Sequence, residues 1–203
     1  MKIILIRHGE TRSNAQKRYI GWTDHSLNRK GRLQAAKVRQ YLSKYPVSKV
    51  YASDLKRAVE FAKLAFKNTA IDKVPGLREI NFGAFEGLKH EEILKKYPKL
   101  YRTWLCDPRK TVIPKGESLL RLAKRVRRSL KKLISDNKNR TFAIVSHAGP
   151  LKIVLGDIMK TKGFWDISVD NASISTIEEI KCLRGAKGKL RITSINDTSF
   201  LKG

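Results

Sequence analysis

An α/β fold, with a mainly parallel sheet covered by helices on both faces, is predicted for this 203-residue chain by three observations. The chain opens on a short aliphatic run, Ile3-Ile4-Leu5-Ile6, that reads as a buried strand. Similar short runs alternate along the chain with segments whose apolar residues recur every three to four positions, which implies crossover connections. Polar residues able to do chemistry cluster just after the apolar runs, where strands of an open sheet deliver ligand-binding groups.

Taken in order, the expected strands are Lys2 to Ile6, Ser48 to Ala52, Thr141 to Ser146, Ser173 to Ile180 and Leu190 to Ile195. Between the first two, Asn28 is placed to cap a helix with Gly31, Ala35, Val38 and Leu42 on one face. Ser53 or Asp54 is placed to cap the next, with Leu55, Ala58, Ala62 and Ala65 inward. Glu91 to Lys96 reads as a short helix stopped at Tyr97-Pro98. Leu119 to Ile134 is the longest helix, its basic residues interleaved with Leu119, Ala123, Val126, Leu130 and Leu133 as a solvated face. Gly149 to Met159 follows the strand that ends at Ser146. The short Arg184 to Gly188 connection suits a hairpin or an antiparallel edge for the last two strands. Residues from Asn68 to Thr111 read as a mixed insertion.

Size and composition bound the function. A chain of this length suits one domain, 1–203, burying ~70% of its unfolded surface. No apolar run approaches the ~20 residues of a membrane span. The opening makes a poor signal peptide, and Cys106 and Cys182 do not form a disulfide scaffold, so the cytoplasm is the expected compartment. Lys and Arg number 44 against 18 Asp and Glu, a net charge of +26. Such a field attracts anionic metabolites and gives nonspecific attraction to polyanions. The basic residues are spread along the chain, and no helix-turn-helix, zinc-ligand or aromatic RNA-binding pattern points to a nucleic-acid function.

Four motifs carry the chemistry. Arg7-His8-Gly9-Glu10-Thr11 follows the first strand, and a fixed cation, an imidazole and a tight turn suit an anionic, phosphorylated ligand. Ser53-Asp54-Leu55-Lys56-Arg57-Ala58 follows the second strand. Leu77 to Gly87 contains Arg78-Glu79-Ile80-Asn81-Phe82-Gly83, and Ser146-His147-Ala148-Gly149-Pro150 follows the third strand. Jointly these resemble the histidine phosphatase superfamily, the phosphoglycerate mutase-like and α-ribazole phosphatase-like proteins. The resemblance runs from Lys2 to about Leu201, and Pro114 to Ser118 and Asp197-Thr198-Ser199 also look like family signatures.

The resemblance implies a three-layer sandwich with a small cap insertion at about 68–111. It implies that His8 is the nucleophile and becomes transiently phosphorylated. A neutral imidazole is required for that, and neighbouring cations favour it. Arg7, Arg57 and His147 are the expected cations around the phosphoryl oxygens, arginine being suited by its planar fork. Backbone N–H groups near Ala148 and Gly149 offer an anion-binding helix start. Asn14 and Gly21 match positions that contact the phosphate, although Ile20 stands where a polar side chain is frequent. Chemistry alone leaves Glu79, Glu86 and Glu10 open as the general acid; the family pattern selects Glu79. No metal-ligand pattern appears, His25 and His90 read as surface residues, and the expectation is catalysis without metal or other cofactor.

The expected activity is hydrolysis of a small phosphorylated metabolite. Mutases of this superfamily typically carry Arg-His-Tyr-Gly after the catalytic glutamate, whereas this chain reads Phe82-Gly83-Ala84-Phe85-Glu86-Gly87. A cofactor-dependent phosphoglycerate mutase and a noncatalytic polyanion-binding protein are the alternatives. α-Ribazole phosphate, phosphoserine, phosphoglycerates and sugar phosphates are all admitted as substrates, and Trp22, Phe85, Trp104 and Trp165 are candidate pocket aromatics. Monomer and homodimer are both compatible with the sequence, and no membrane partner is expected.

Overall fold

The computed structural model describes residues 1–161, 163–180 and 188–202. The expected strands form, and a short sixth joins them. They are β1 (Lys2–Arg7), β2 (Lys49–Ala52), β3 (Ile71–Lys73), β4 (Thr141–Ser146), β5 (Ile174–Ile180) and β6 (Lys189–Asp197). Their order across the sheet is β3-β2-β4-β1-β5-β6. Strands β3, β2, β4 and β1 run parallel, whereas β5 and β6 add antiparallel. The expected antiparallel edge is therefore present; residues 184–187 of its connection lie outside the described residues, as does Cys182.

Helices α1 (Arg12–Ala15), α2 (Arg29–Leu42), α3 (Lys56–Ala65), α4 (His90–Lys96), α5 (Pro98–Cys106), α6 (Leu119–Asp136) and α7 (Ala148–Met159) complete the described residues. Side-chain alternation along β1 sets the layers. Ile4 and Ile6, with Val50, Ala143 and Val145, pack against α2 and α3. Ile3 and Leu5, with Phe142 and Ile144, pack against α6 and α7. This is the three-layer sandwich. A third apolar cluster, Phe85, Ile93, Tyr101, Trp104 and Ile113, belongs to α4, α5 and their flanking loops.

Several local expectations need correction. β3 pairs with β2 where the sequence suggested the start of an insertion. Its three residues, one apolar and two charged, carry no strand periodicity. Pro98 does more than end α4: it opens α5, because proline lacks only an N–H that the first helical turn leaves unpaired anyway. Neither Ser53 nor Asp54 caps α3. Leu55 is the N-cap, and the acceptor for Lys56 N–H is Asp24 Oδ1 at 2.7 Å, a residue distant in sequence. By contrast α2 follows its sequence, with Asn28 accepting from Gly31 N–H and Gly31, Ala35, Val38 and Leu42 buried.

Phe61, fully buried between α3 and the sheet, tests this layer. Phe61→Ala is expected to cost about 3–5 kcal/mol in urea unfolding. Leu33→Ala, at a residue 58% exposed on α2, is expected to stay within about 0.5 kcal/mol.

Candidate active site

The site begins in strand register. Arg7 pairs with Ser146 across β1 and β4, and Ala52 pairs with Val145 across β2 and β4. The three parallel strands thus end nearly level, and the next residues meet above their carboxyl ends. His8 N–H donates to Ser146 O at 3.0 Å, and Ser53 N–H donates to Val145 O at 2.9 Å. His8 and His147 follow from adjacent strands, with ring centroids 4.9 Å apart and an interplanar angle of 66°.

His8 is 3% exposed. Its Nδ1 lies 2.7 Å from Gly9 O, an acceptor, which assigns the proton to Nδ1 and leaves a lone pair on Nε2. Arg57 Nε–H donates to that Nε2 at 3.3 Å. Burial first, then the charges of Arg57 and Arg7, hold the imidazole well below its ordinary value of 6.5, against an opposing contribution from Gly9. His8 is therefore neutral at physiological pH.

Arg57 is 2% exposed and is aimed by its own hydrogen bonds. Nη2 donates to Gly21 O at 2.6 Å and Nη1 to Thr23 O at 3.1 Å. Arg7 Nη1 donates to Val169 O at 2.7 Å, while its Nε is buried without a protein partner. A cavity of about 200 Å³ lies over these groups, lined by Arg7, His8, Asn14, Arg57 and Glu79 together with Thr11, Lys17, Arg18, Tyr19, Ile20 and Phe82.

Glu79 closes the other side. Its Oε1 accepts from Ile80 N–H at 2.8 Å, and both oxygens lie 3.1 Å from Gly149 N at the start of α7. Of the helix start that the sequence suggested for the ligand, the Gly149 N–H is thus taken by the protein's own carboxyl group. A Cβ on Gly149 would stand 2.1 Å from Glu79 Oε1, so the glycine is needed for this approach. The Glu79 carbonyl accepts from Trp22 Nε1 at 2.8 Å and from Arg125 Nη2 at 2.7 Å. Arg125 also donates to Gly76 O and Arg78 O and forms a two-pronged pair with Glu117, both contacts at 2.7 Å.

Arg7, His8, Arg57, Glu79 and Asn14 all line the cavity, but three other predicted residues are placed differently. His147 is fully buried and does not line it. Burial and the neighbouring cations also hold its pKa well below 6.5, so it is neutral rather than the expected cation. Its Nε2 lies 2.8 Å from Ser53 Oγ, and Nδ1 has no partner within the protein. Gly21 N–H does not face a ligand: it donates to both oxygens of Glu86 at 3.0 and 3.1 Å. Glu86 also takes the N–H groups of Trp22 and Phe82, so this carboxylate organises the 20–23 loop. Ala148 lines an adjoining cavity, and its N–H, at the first position of α7, has no intrahelical acceptor.

Asn14 keeps its side-chain amide donors. Its Oδ1 is used by Thr11 N–H and Oγ1–H at the cap of α1, so the amide NH₂ is what it can present. Gly9 turns out to approach α2 rather than a ligand; a Cβ there would meet Gly31 O at 2.6 Å. The sequence reading missed Lys17, Arg18 and Tyr19, which follow Asn14, and Arg125, whose signal was the acidic Glu117 beside the Ser118 cap. His90 Nδ1 bonds Tyr101 OH at 2.8 Å, and neither His90 nor His25 lines the cavity. Among the described residues no group of three or more His, Cys, Asp or Glu is placed to hold a metal ion. No described helix is long and apolar enough to cross a membrane.

The fold and this constellation place a neutral imidazole and two guanidinium groups around one cavity above the carboxyl ends of the parallel strands. The chain matches the histidine phosphatase superfamily (branch 1) over residues 3–198; it belongs to that superfamily and is a phosphatase. It is 36% identical to phosphoserine phosphatase 1 of Hydrogenobacter thermophilus, over 87% of this chain and 86% of the relative. It is 35% identical to a metal-independent phosphoserine phosphatase of Arabidopsis thaliana, over 75% of this chain and 66% of the relative. Among solved structures it is similar to YhfR of Bacillus stearothermophilus, with a TM-score of 0.90, 26% identity and 99% of each chain covered.

Two measurements test the electrostatics. Both buried imidazoles are neutral when folded and take up a proton readily when unfolded, so protonation favours the unfolded chain below pH 6.5. Thermal stability is expected to fall as pH drops from 6.5 toward their depressed folded values; a Tm that rises over that interval contradicts the assignment. Separately, Arg125→Met leaves Glu117 and the Glu79 carbonyl short of donors. It is expected to cost about 1.5–3 kcal/mol in denaturant unfolding.

Proposed function

We propose that the protein is a metal-independent phosphomonoesterase that hydrolyses a small phosphorylated metabolite, with His8 as nucleophile and Glu79 as general acid and base. The observation that carries this reading is the lone pair on His8 Nε2, on a neutral ring, facing a cavity walled by two guanidinium groups. The 3.3 Å contact from Arg57 is long for a hydrogen bond, so the lone pair is oriented but not tied up.

The first step forms a bond from Nε2 to phosphorus and breaks the bond from phosphorus to the ester oxygen. That oxygen leaves with the electron pair and takes a proton from Glu79. Glu79 suits this role because it lines both the phosphate cavity and the adjoining one, where a leaving group would lie. In the second step water attacks phosphorus, Glu79 takes its proton, and the nitrogen–phosphorus bond breaks to restore His8 and release inorganic phosphate.

Arg7 and Arg57 supply the positive charge that the phosphoryl oxygens require, which supports catalysis without a metal; the Arabidopsis relative bears that description in its name. Arg7 Nε and His147 Nδ1, buried without protein partners, are further donors that phosphoryl oxygens would satisfy. His147 enters this reading as a neutral donor beside His8.

Rapid quenching with a labelled phosphate ester is expected to trap an acid-labile, base-stable phosphoprotein, and His8→Ala is expected to lose both label and turnover. Label retained in His8→Ala overturns the assignment. Release of inorganic phosphate at full rate in chelator separates hydrolysis from mutase and metal-dependent chemistry. Arg7→Ala or Arg57→Ala is expected to lose about 3 kcal/mol of barrier lowering, roughly a hundredfold in kcat. In the pH profile of kcat/KM, the acid limb is expected below pH 6.5. Arg57→Gln should move that limb upward, because a cation that disfavours protonated His8 is gone.

A further inference from the structure

The cavity over His8 is the first of three that adjoin, each sharing lining residues with the next. It shares Tyr19, Glu79 and Phe82 with a second, of about 100 Å³. The second is walled by Ile80, Phe82, Trp104, Pro108, Phe164 and Trp165. Its aromatic wall is built edge to face, with Trp104 and Trp165 at 5.2 Å and Phe164 and Trp165 at 5.0 Å between centroids. The second cavity in turn shares Leu119, Lys152 and Phe164 with a third, of about 220 Å³, lined by α6, α7 and residues of the chain beyond α7.

The third cavity differs in character. Arg109, Arg127 and Lys152 line it, with Asp157 as the single carboxylate among its lining residues. Asp157 accepts from Arg127 at 2.7 and 2.6 Å, which fixes that guanidinium in place. With Arg127 paired to Asp157, the charge of Lys152 leaves the cavity positive. Lys152 stands at the junction, its ammonium 5.3 Å from the Phe164 centroid and 5.2 Å from that of Trp165. Lys152 thus lines both cavities, with its ammonium held against two aromatic rings.

We propose that the preferred substrate is an elongated phosphomonoester: phosphoryl group over His8, a flat apolar ring in the aromatic cavity, and a second anionic group in the basic cavity beside Lys152. This deepens the phosphatase reading of the first cavity and rests on it. Phosphoserine fits the sequence of cavities poorly. Its ammonium and carboxylate hang from the carbon two bonds from the ester oxygen, so both charges would sit against the aromatic wall of the second cavity, where Glu79 and Lys152 are the charged lining residues and desolvation opposes the pair. A ring there keeps the apolar wall dry and sets the far anion against charge-assisted donors.

The test compares 1-naphthyl phosphate, the same ester bearing a sulfonate on its distal ring, and phosphoserine, all at one ionic strength. The sulfonated ester is expected to have the highest kcat/KM, about tenfold above its neutral parent, with phosphoserine lowest. Lys152→Met and Arg127→Gln should each narrow the gap between the naphthyl esters, and Lys152→Arg should restore it. Lys138→Ala, an equal charge change on the loop after α6, should leave the gap as in the unaltered protein. Equal kcat/KM for the two naphthyl esters, a gap that survives both narrowing variants, or a preference for phosphoserine overturns the elongated-substrate proposal and leaves the phosphatase reading standing. No phosphate release from any ester overturns both.

Discussion

The backbone hydrogen bond from His8 N–H to Ser146 O ties the first residue beyond β1 to the last residue of β4. With Arg7 opposite Ser146 and Ala52 opposite Val145, three parallel strands end nearly together. Two imidazoles, a guanidinium and a serine hydroxyl are then delivered to one place by chain direction alone. Register in a doubly covered sheet is firmly specified, since a slip of one residue would exchange Ile3 and Leu5 with Ile4 and Ile6 between the two cores. The geometry of the candidate site thus inherits its accuracy from packing on both faces.

Burial then decides the charge states. Both imidazoles are enclosed and stand beside guanidinium groups, and both effects favour the neutral ring. Burial lowers the pKa of both arginines and the charge of Glu79 opposes it, while carbonyl oxygens of Gly21, Thr23 and Val169 receive their N–H groups. Around this core lies a supporting set of ions. Glu86 gathers the 20–23 loop, whose Gly21 and Thr23 carbonyls aim Arg57. Arg125, held by Glu117, fixes the backbone that carries Glu79. Arg57 and the backbone of Glu79 are therefore positioned by partners distant in sequence.

That distance explains what could be read from the chain. β1, β2 and β4 are apolar on both faces and announce themselves; α2 carries its own cap and a clean apolar stripe. The joint occurrence of Arg7-His8, Arg57, Glu79 and His147 after such elements pointed to the region where the first four line one cavity. What the sequence hid depends on contacts between remote segments. β3 shows no period because its last two residues are exposed. α3 begins on an acceptor from Asp24, and Gly21 is taken by Glu86. His147 reads as a cation until its complete burial is seen. Arg125 hid among the basic residues of α6, most of which do face solvent, because periodicity does not reveal a half-buried arginine reaching across to a carboxylate and three carbonyls.

The small apolar cluster of Phe85, Ile93, Tyr101, Trp104 and Ile113 shares no buried member with the two clusters that flank the sheet. Trp104 nevertheless contributes a wall to the aromatic cavity next to Glu79. Repacking this cluster can therefore change the shape of that cavity while the strands that set His8 and its arginines go untouched.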